Sequence, residues 1–183
     1  MLVSYGGRLT EPGVRSLLER FIEVCLLRAG PQDLPASRAL LGLALIAYVA
    51  VLTAIGLVDL GWHNAVARTA VDLALTAGLL HLALHVRRVP ARFVQSLSAI
   101  AGTGALLGAV LWPLAAWVTS AERGDAAAAL ASLATLAVLI WSLVVLGHIL
   151  RHALSLSFAG GMLASVIYFA TGVGVMRWLF ATG

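Results

Sequence analysis

Lysine is missing from this 183-residue chain, cysteine occurs once, and charged residues make up only 11% of it. The single cysteine, Cys25, excludes a disulfide scaffold. The scarcity of charge excludes a disordered chain, which stays unfolded because it is highly charged and has little to bury. It excludes a soluble monomer as well. Hydrophobic residues reach 61%, and a fold of this size has too little interior to hide them. All twelve basic residues are arginines, set in short clusters between apolar runs. Nucleic-acid binding needs a basic patch on a folded, water-facing surface, which such a chain does not offer. No G-x-x-x-x-G-K-[ST], G-x-S-x-G or H-E-x-x-H motif occurs, so an enzyme is the least supported class.

What the chain does contain is length without charge. The hydrocarbon core of a bilayer is about 30 Å thick and needs about 20 apolar residues to cross. Residues 39–58, 64–86, 93–119, 126–150 and 155–178 each satisfy this. The second stretch is the least obvious, because it carries Arg68, Asp72, His81 and His85. Its centre, from Leu73 to Leu80, is uncharged, and it lies between firmer spans. A barrel would show short alternating segments, which are absent. The expected fold is therefore all-α: a polytopic bundle of five transmembrane helices (residues 38–183) preceded by a cytoplasmic segment (residues 1–37). That first segment shows no uninterrupted apolar core of the kind a cleaved signal peptide has.

Five spans put the two termini on opposite sides. Arg8, Arg15, Arg20, Arg28, Arg38, Arg87, Arg88, Arg92 and Arg151 then share one side, and only Arg68, Arg123 and Arg177 lie on the other. The positive-inside rule places the N-terminus in the cytoplasm of a plasma (bacterial inner) membrane and the C-terminus outside. Ahead of the first span, Val14, Leu17, Leu18, Phe21 and Cys25 recur at helical spacing between Arg15, Glu19, Arg20 and Glu23. This predicts an amphipathic helix over residues 11–28, capped by Thr10, started by Pro12 and ended by Gly30-Pro31. It either docks a partner or the membrane interface, or lies as a lid on the bundle's own cytoplasmic face.

Lipid tails are as apolar as leucine, so membrane helices associate through small residues that allow close approach. Gly104 and Gly108 in the third span, and Gly160, Gly161 and Ala164 in the fifth, form such surfaces for packing within the bundle or in a homo-oligomer. Pro113 is expected to bend the third span. Trp62, Trp112, Trp117 and Trp178 fall near the outer boundary, as an aromatic belt does; Trp141 sits deeper.

Two polar groups of residues stand out. Asp72 is the only acid inside a span, and Arg68, four residues earlier, shares its helix face and can pair with it towards the outer side. That pair is either a hydrated interfacial ion pair or part of a solute or cation path. His81 with His85, and His148 with His152, place two imidazoles on one face at the cytoplasmic ends of the second and fourth spans. If the faces meet, four rings converge in a set suited to a metal or haem. The alternative is interfacial anchoring with hydrogen bonds at the helix ends, which the nearby Arg87, Arg88, Arg92 and Arg151 favour. No cofactor is expected on balance.

Two stretches also look familiar. Phe93-Val-Gln-Ser-Leu-Ser98 enters the third span after a basic loop. Ile140-Trp-Ser-Leu-Val-Val-Leu146 is followed by His152-Ala-Leu-Ser-Leu-Ser-Phe-Ala159 across the turn into the fifth. With the five spans and short C-terminus, these resemble the YIP-domain family of integral membrane proteins, named for interaction with Rab/YPT GTPases. The resemblance covers about residues 38–180 and implies the five-span fold. Gln32-Asp-Leu-Pro35 stands where eukaryotic members carry D-L-Y-G-P. The arginine- and alanine-rich, lysine-free composition points to the bacterial branch.

The leading functional expectation is a non-enzymatic membrane protein that organises membrane-protein partners. A small transporter or channel using Asp72 and Arg68 is the alternative. A metal or haem protein using the four histidines is the second.

Overall fold

The computed structural model describes residues 14–120 and 126–180. Thr10, Glu11 and Pro12, and Glu122, Arg123 and Asp125, lie outside these residues. Among the described residues six α-helices follow one another: α1 (Val14–Cys25), α2 (Arg38–Gly56), α3 (Trp62–Val86), α4 (Phe93–Ser120), α5 (Ala126–Leu154) and α6 (Phe158–Phe180). Short 3-10 turns precede α2 and α4 at Pro31–Asp33 and Pro90–Arg92. No strand occurs among the described residues. The five helices after α1 are long and apolar enough to cross a membrane. The chain is a multi-pass membrane protein with a short helix ahead of its spans.

The bundle is built around α4, which packs on α2 and α5, while α6 pairs with α5 and α3 bridges α2 and α6. Glycine sets the closest approaches. A Cβ on Gly104 would lie 2.6 Å from Cε2 of Tyr48, and one on Gly108 would lie 2.7 Å from Cγ1 of Val51, so both are the seats of α2 on α4. Gly161 meets the carbonyl of Gly147 and the side chain of Arg151, which brings α6 against α5 backbone to backbone. Ala164 packs against the core beside it, and Gly160 faces Leu156. The helix runs through Pro113 without interruption. Trp62, Trp112, Trp117 and Trp178 are exposed, all near the end of the bundle opposite α1.

Two of the boundaries differ from those expected. The fourth span continues to Leu154, and the fifth starts at Phe158. Between them Ser155 takes a left-handed backbone (φ 53°) and Leu156 N–H donates back to Arg151 O at 2.8 Å. The same closure ends α1, where Leu27 has φ 61° and Arg28 N–H reaches Glu23 O at 2.8 Å. It also ends α3, where Arg88 has φ 59° and Val89 N–H reaches Leu84 O at 2.9 Å. These are Schellman turns without glycine. α1 therefore stops at Cys25, before Gly30-Pro31.

The apolar stripe of α1 faces the bundle, except for Leu18, which stays exposed. Phe21, Val24 and Cys25 are buried, and Phe21 fills the space that the missing side chain of Gly102 leaves on α4. Trp141 Nε1 donates to Cys25 O at 3.0 Å, and Gln95 Nε2 donates to Leu34 O at 2.9 Å. Because Gly102 is nine residues into α4, about 13 Å along it, α1 lies against the flank of α4 and α5. It is not a lid over the helix ends.

Arg88 is exposed and makes no side-chain bond, so Arg88→Gly should relieve the left-handed strain and stabilise the detergent-solubilised protein by about 1 kcal/mol, read as a raised unfolding temperature. Burial pushes the Cys25 thiol up to about 11. The folded protein should therefore resist maleimide near neutral pH, and full labelling should appear only after denaturation. Rapid labelling of the native form would mean that α1 leaves its seat.

Candidate functional site

α2 contributes one polar side chain at mid-length, Tyr48, ten residues from its first. α3 contributes Asp72, also ten residues in, and α6 contributes Tyr168. The Tyr48 hydroxyl donates to Asp72 Oδ2 at 2.5 Å. One turn further along α3, the hydroxyls of Thr76 and Tyr168 are hydrogen-bonded, with Thr76 fully buried. Towards the far end, Thr53 and Thr69 bond at 3.2 Å and tie α2 to α3 again. Three helices are thus joined by hydroxyls and a single carboxylate. An ionised carboxyl inside a span costs about 2.5–3.5 kcal/mol on insertion scales, which is why such groups are paired and tend to be functional.

Asp72 and Arg68 do not form the expected pair. No ion pair joins them; Asp72 takes its donor from α2 instead. The guanidinium of Arg68 lies over the Phe180 ring, with Cζ 5.3 Å from the centroid. Its Nε is buried without a partner. The two residues nevertheless border one cleft between α3 and α6, of about 500 Å³. Tyr168, Met176, Arg177 and Phe180 complete its walls. Two guanidinium groups and one carboxylate therefore face a space otherwise walled by aromatic and aliphatic carbon. Asp72 lies near mid-length of its helix, ten residues from Trp62 and fourteen from Val86.

The histidine pairs do not converge. His81 and His85 are exposed on α3, their rings stacked 6.3 Å apart, with His81 edge-on to Phe93 at 5.6 Å. His148 is buried and its Nε2 lies 3.0 Å from Ala29 O, so it holds the link after α1. His152 stands against it at 4.7 Å between centroids. No group of three or more metal-ligating side chains forms among the described residues. Helical spacing aligned each pair, but the turned-out face of α3 keeps the two pairs apart.

Tyr48 and Tyr168 were not singled out from the sequence. The available signal was their depth: tyrosine favours the membrane–water boundary, so a tyrosine at mid-span implies a polar partner.

Tyr48→Phe removes the donor to Asp72 and should destabilise the bundle by about 1–3 kcal/mol. The loss should shrink when the same change is made in an Asp72→Asn background, a double-mutant cycle readable by thermal unfolding in detergent. Equal losses in both backgrounds would mean that the hydrogen bond carries no coupling. No protein-family model matches the chain, and no curated protein or solved structure is similar to it.

Proposed function

We propose that this protein is a carrier for a small amphiphilic organic anion, with the cleft between α3 and α6 as its solute site. The observation that carries the reading is the buried, unpartnered Nε of Arg68 on the wall of a cleft that also holds Asp72. A buried guanidinium N–H without an acceptor is costly, and an anionic head group supplies the acceptor. The carbon walls from Met176 and Phe180 suit an apolar body, and about 500 Å³ lies within the usual range of ligand pockets.

Asp72 supplies the control. Ionised, its carboxylate offsets Arg68 and Arg177 and disfavours an anion beside it. Protonated, it leaves the cleft with two uncompensated positive charges. Solute and proton then enter together, with Tyr48, Thr76 and Tyr168 holding the carboxyl's side of the cleft in place. In this reading the protein is non-enzymatic and sits in a bacterial inner membrane, its N-terminus on the arginine-rich side, in a YIP-like arrangement of spans. The partner-organising reading keeps only the exposed Leu18 and Ile22 of α1, with Leu26 just after it, because the rest of the stripe is packed on the bundle.

Reconstituted liposomes test this with radiolabelled naphthalenesulfonate, whose permanent charge keeps it from crossing bare lipid. Counterflow should exceed that of protein-free liposomes and rise as the external pH falls. Arg68→Gln should reduce it about tenfold or more, and Asp72→Asn should remove its pH dependence. Flux equal to that of empty liposomes, or unchanged in both variants, overturns the proposal.

A further inference from the structure

A separate cavity, of about 370 Å³, lies at the α1 end of the bundle. The Pro31–Asp33 turn, the start of α4 and the last turn of α5 enclose it. Besides Gln32 of that turn, its polar wall has Arg92, Gln95, Ser96, Arg151, His152 and Ser155. It shares no residue with the α3–α6 cleft and does not depend on the function proposed for that cleft.

Two of these side chains end in buried atoms without partners, Ser96 Oγ and Arg151 Nε. Ser96 is only 1% exposed. Its neighbours on α4 behave differently. Ser98 donates to Val94 O at 2.7 Å and Thr103 donates to Ala99 O at 2.7 Å, the usual resort of a helical hydroxyl in apolar surroundings. Ser96 makes no such bond. Arg151 is held at the wall by the Phe158 ring, 5.7 Å from its Cζ.

The groups that would repel an anion are already engaged. Arg92 Nη1 donates to His152 O and Ala153 O, both at 3.1 Å, and to Ser155 Oγ at 2.8 Å. Arg87 Nε donates to Leu154 O at 3.1 Å. Together they cover the carbonyls and the negative dipole at the end of α5. Asp33, the acid on the adjoining turn, accepts from Gly30 N–H at 2.8 Å. A surplus of donors and positive charge remains.

The cavity lies nearer this end of the bundle than α1 does. The charged edge of α1 faces outward, with the Arg15 side chain 93% exposed, and must reach water or head groups. The cavity, closer to the end, is therefore in the same polar zone.

We propose that this cavity binds a phosphate group, with Arg151 and Ser96 as its direct ligands and Arg92 as the second positive charge. A planar guanidinium beside a hydroxyl donor matches phosphate oxygens. The phosphate is that of a phospholipid head group or of a free phosphate.

Native mass spectrometry of the full chain in neutral detergent separates the two sources. One arm adds inorganic phosphate. The other adds short-chain phosphatidylglycerol, with diacylglycerol of the same chain length as control. Adducts with inorganic phosphate assign a free-phosphate site, and adducts with phosphatidylglycerol alone assign a head-group site. Arg151→Gln should weaken either adduct about tenfold or more. Ser96→Ala should weaken it severalfold without lowering the unfolding temperature, because the hydroxyl has no bond to lose. No adduct in either arm overturns the proposal. So do adducts retained in full by Ser96→Ala and by any folded Arg151→Gln protein, or diacylglycerol binding as strongly as phosphatidylglycerol.

Discussion

The hydroxyl of Tyr48 is what allows α3 to carry a carboxylate at mid-length. Lipid supplies no hydrogen bonds, so a polar group in a span must find its partner inside the protein. Asp72 finds it on α2, and that choice fixes much else. Tyr48 must lie close to α3, and one edge of its ring, Cδ2 and Cε2, then comes against α4 at Gly104. Only glycine at 104 permits this, since a side chain there would strike the ring. The contact that positions the acid and the contact that packs α2 on α4 are made by one tyrosine side chain. The small-residue motif of the third span is thereby tied to the polar site and is more than a packing device.

The same economy operates at the α1 end. The spans converge there on short connections, and the turns are closed by arginine side chains and left-handed residues instead of glycines. Arg87 and Arg92 satisfy carbonyls that the end of α5 leaves open. The arginine-rich loops thereby serve as helix caps.

Much of the fold was legible in the amino-acid order because a membrane span is a one-dimensional property. Twenty residues without charge declare themselves whatever surrounds them, and Asp72 and Arg68 were conspicuous against that background. Their partners were not. Helical spacing joins Arg68 to Asp72, whereas the actual donor to Asp72 lies 24 residues away on another helix. The histidines failed for a related reason. Spacing aligns His81 with His85 and His148 with His152, but which faces of α3 and α5 meet is decided by packing, and α3 turns its pair outward. The end of α3 at Val86 was read correctly, but the ends of α1 and α5, before Leu27 and Ser155, were missed because the usual marker of a left-handed closure, glycine, is absent from both.

The flank position of α1 has a consequence for the surrounding lipid. A helix whose outer edge bears Arg15, Glu19 and Arg20 cannot be bathed in acyl chains, yet it sits well along α4 and not beyond its tip. α4 has 28 residues and is about 42 Å long, against a hydrocarbon layer of about 30 Å, so its first turns and the helix beside them have room to stand among head groups. A sixth helix laid along that stretch makes the molecule broader at this end than at the other.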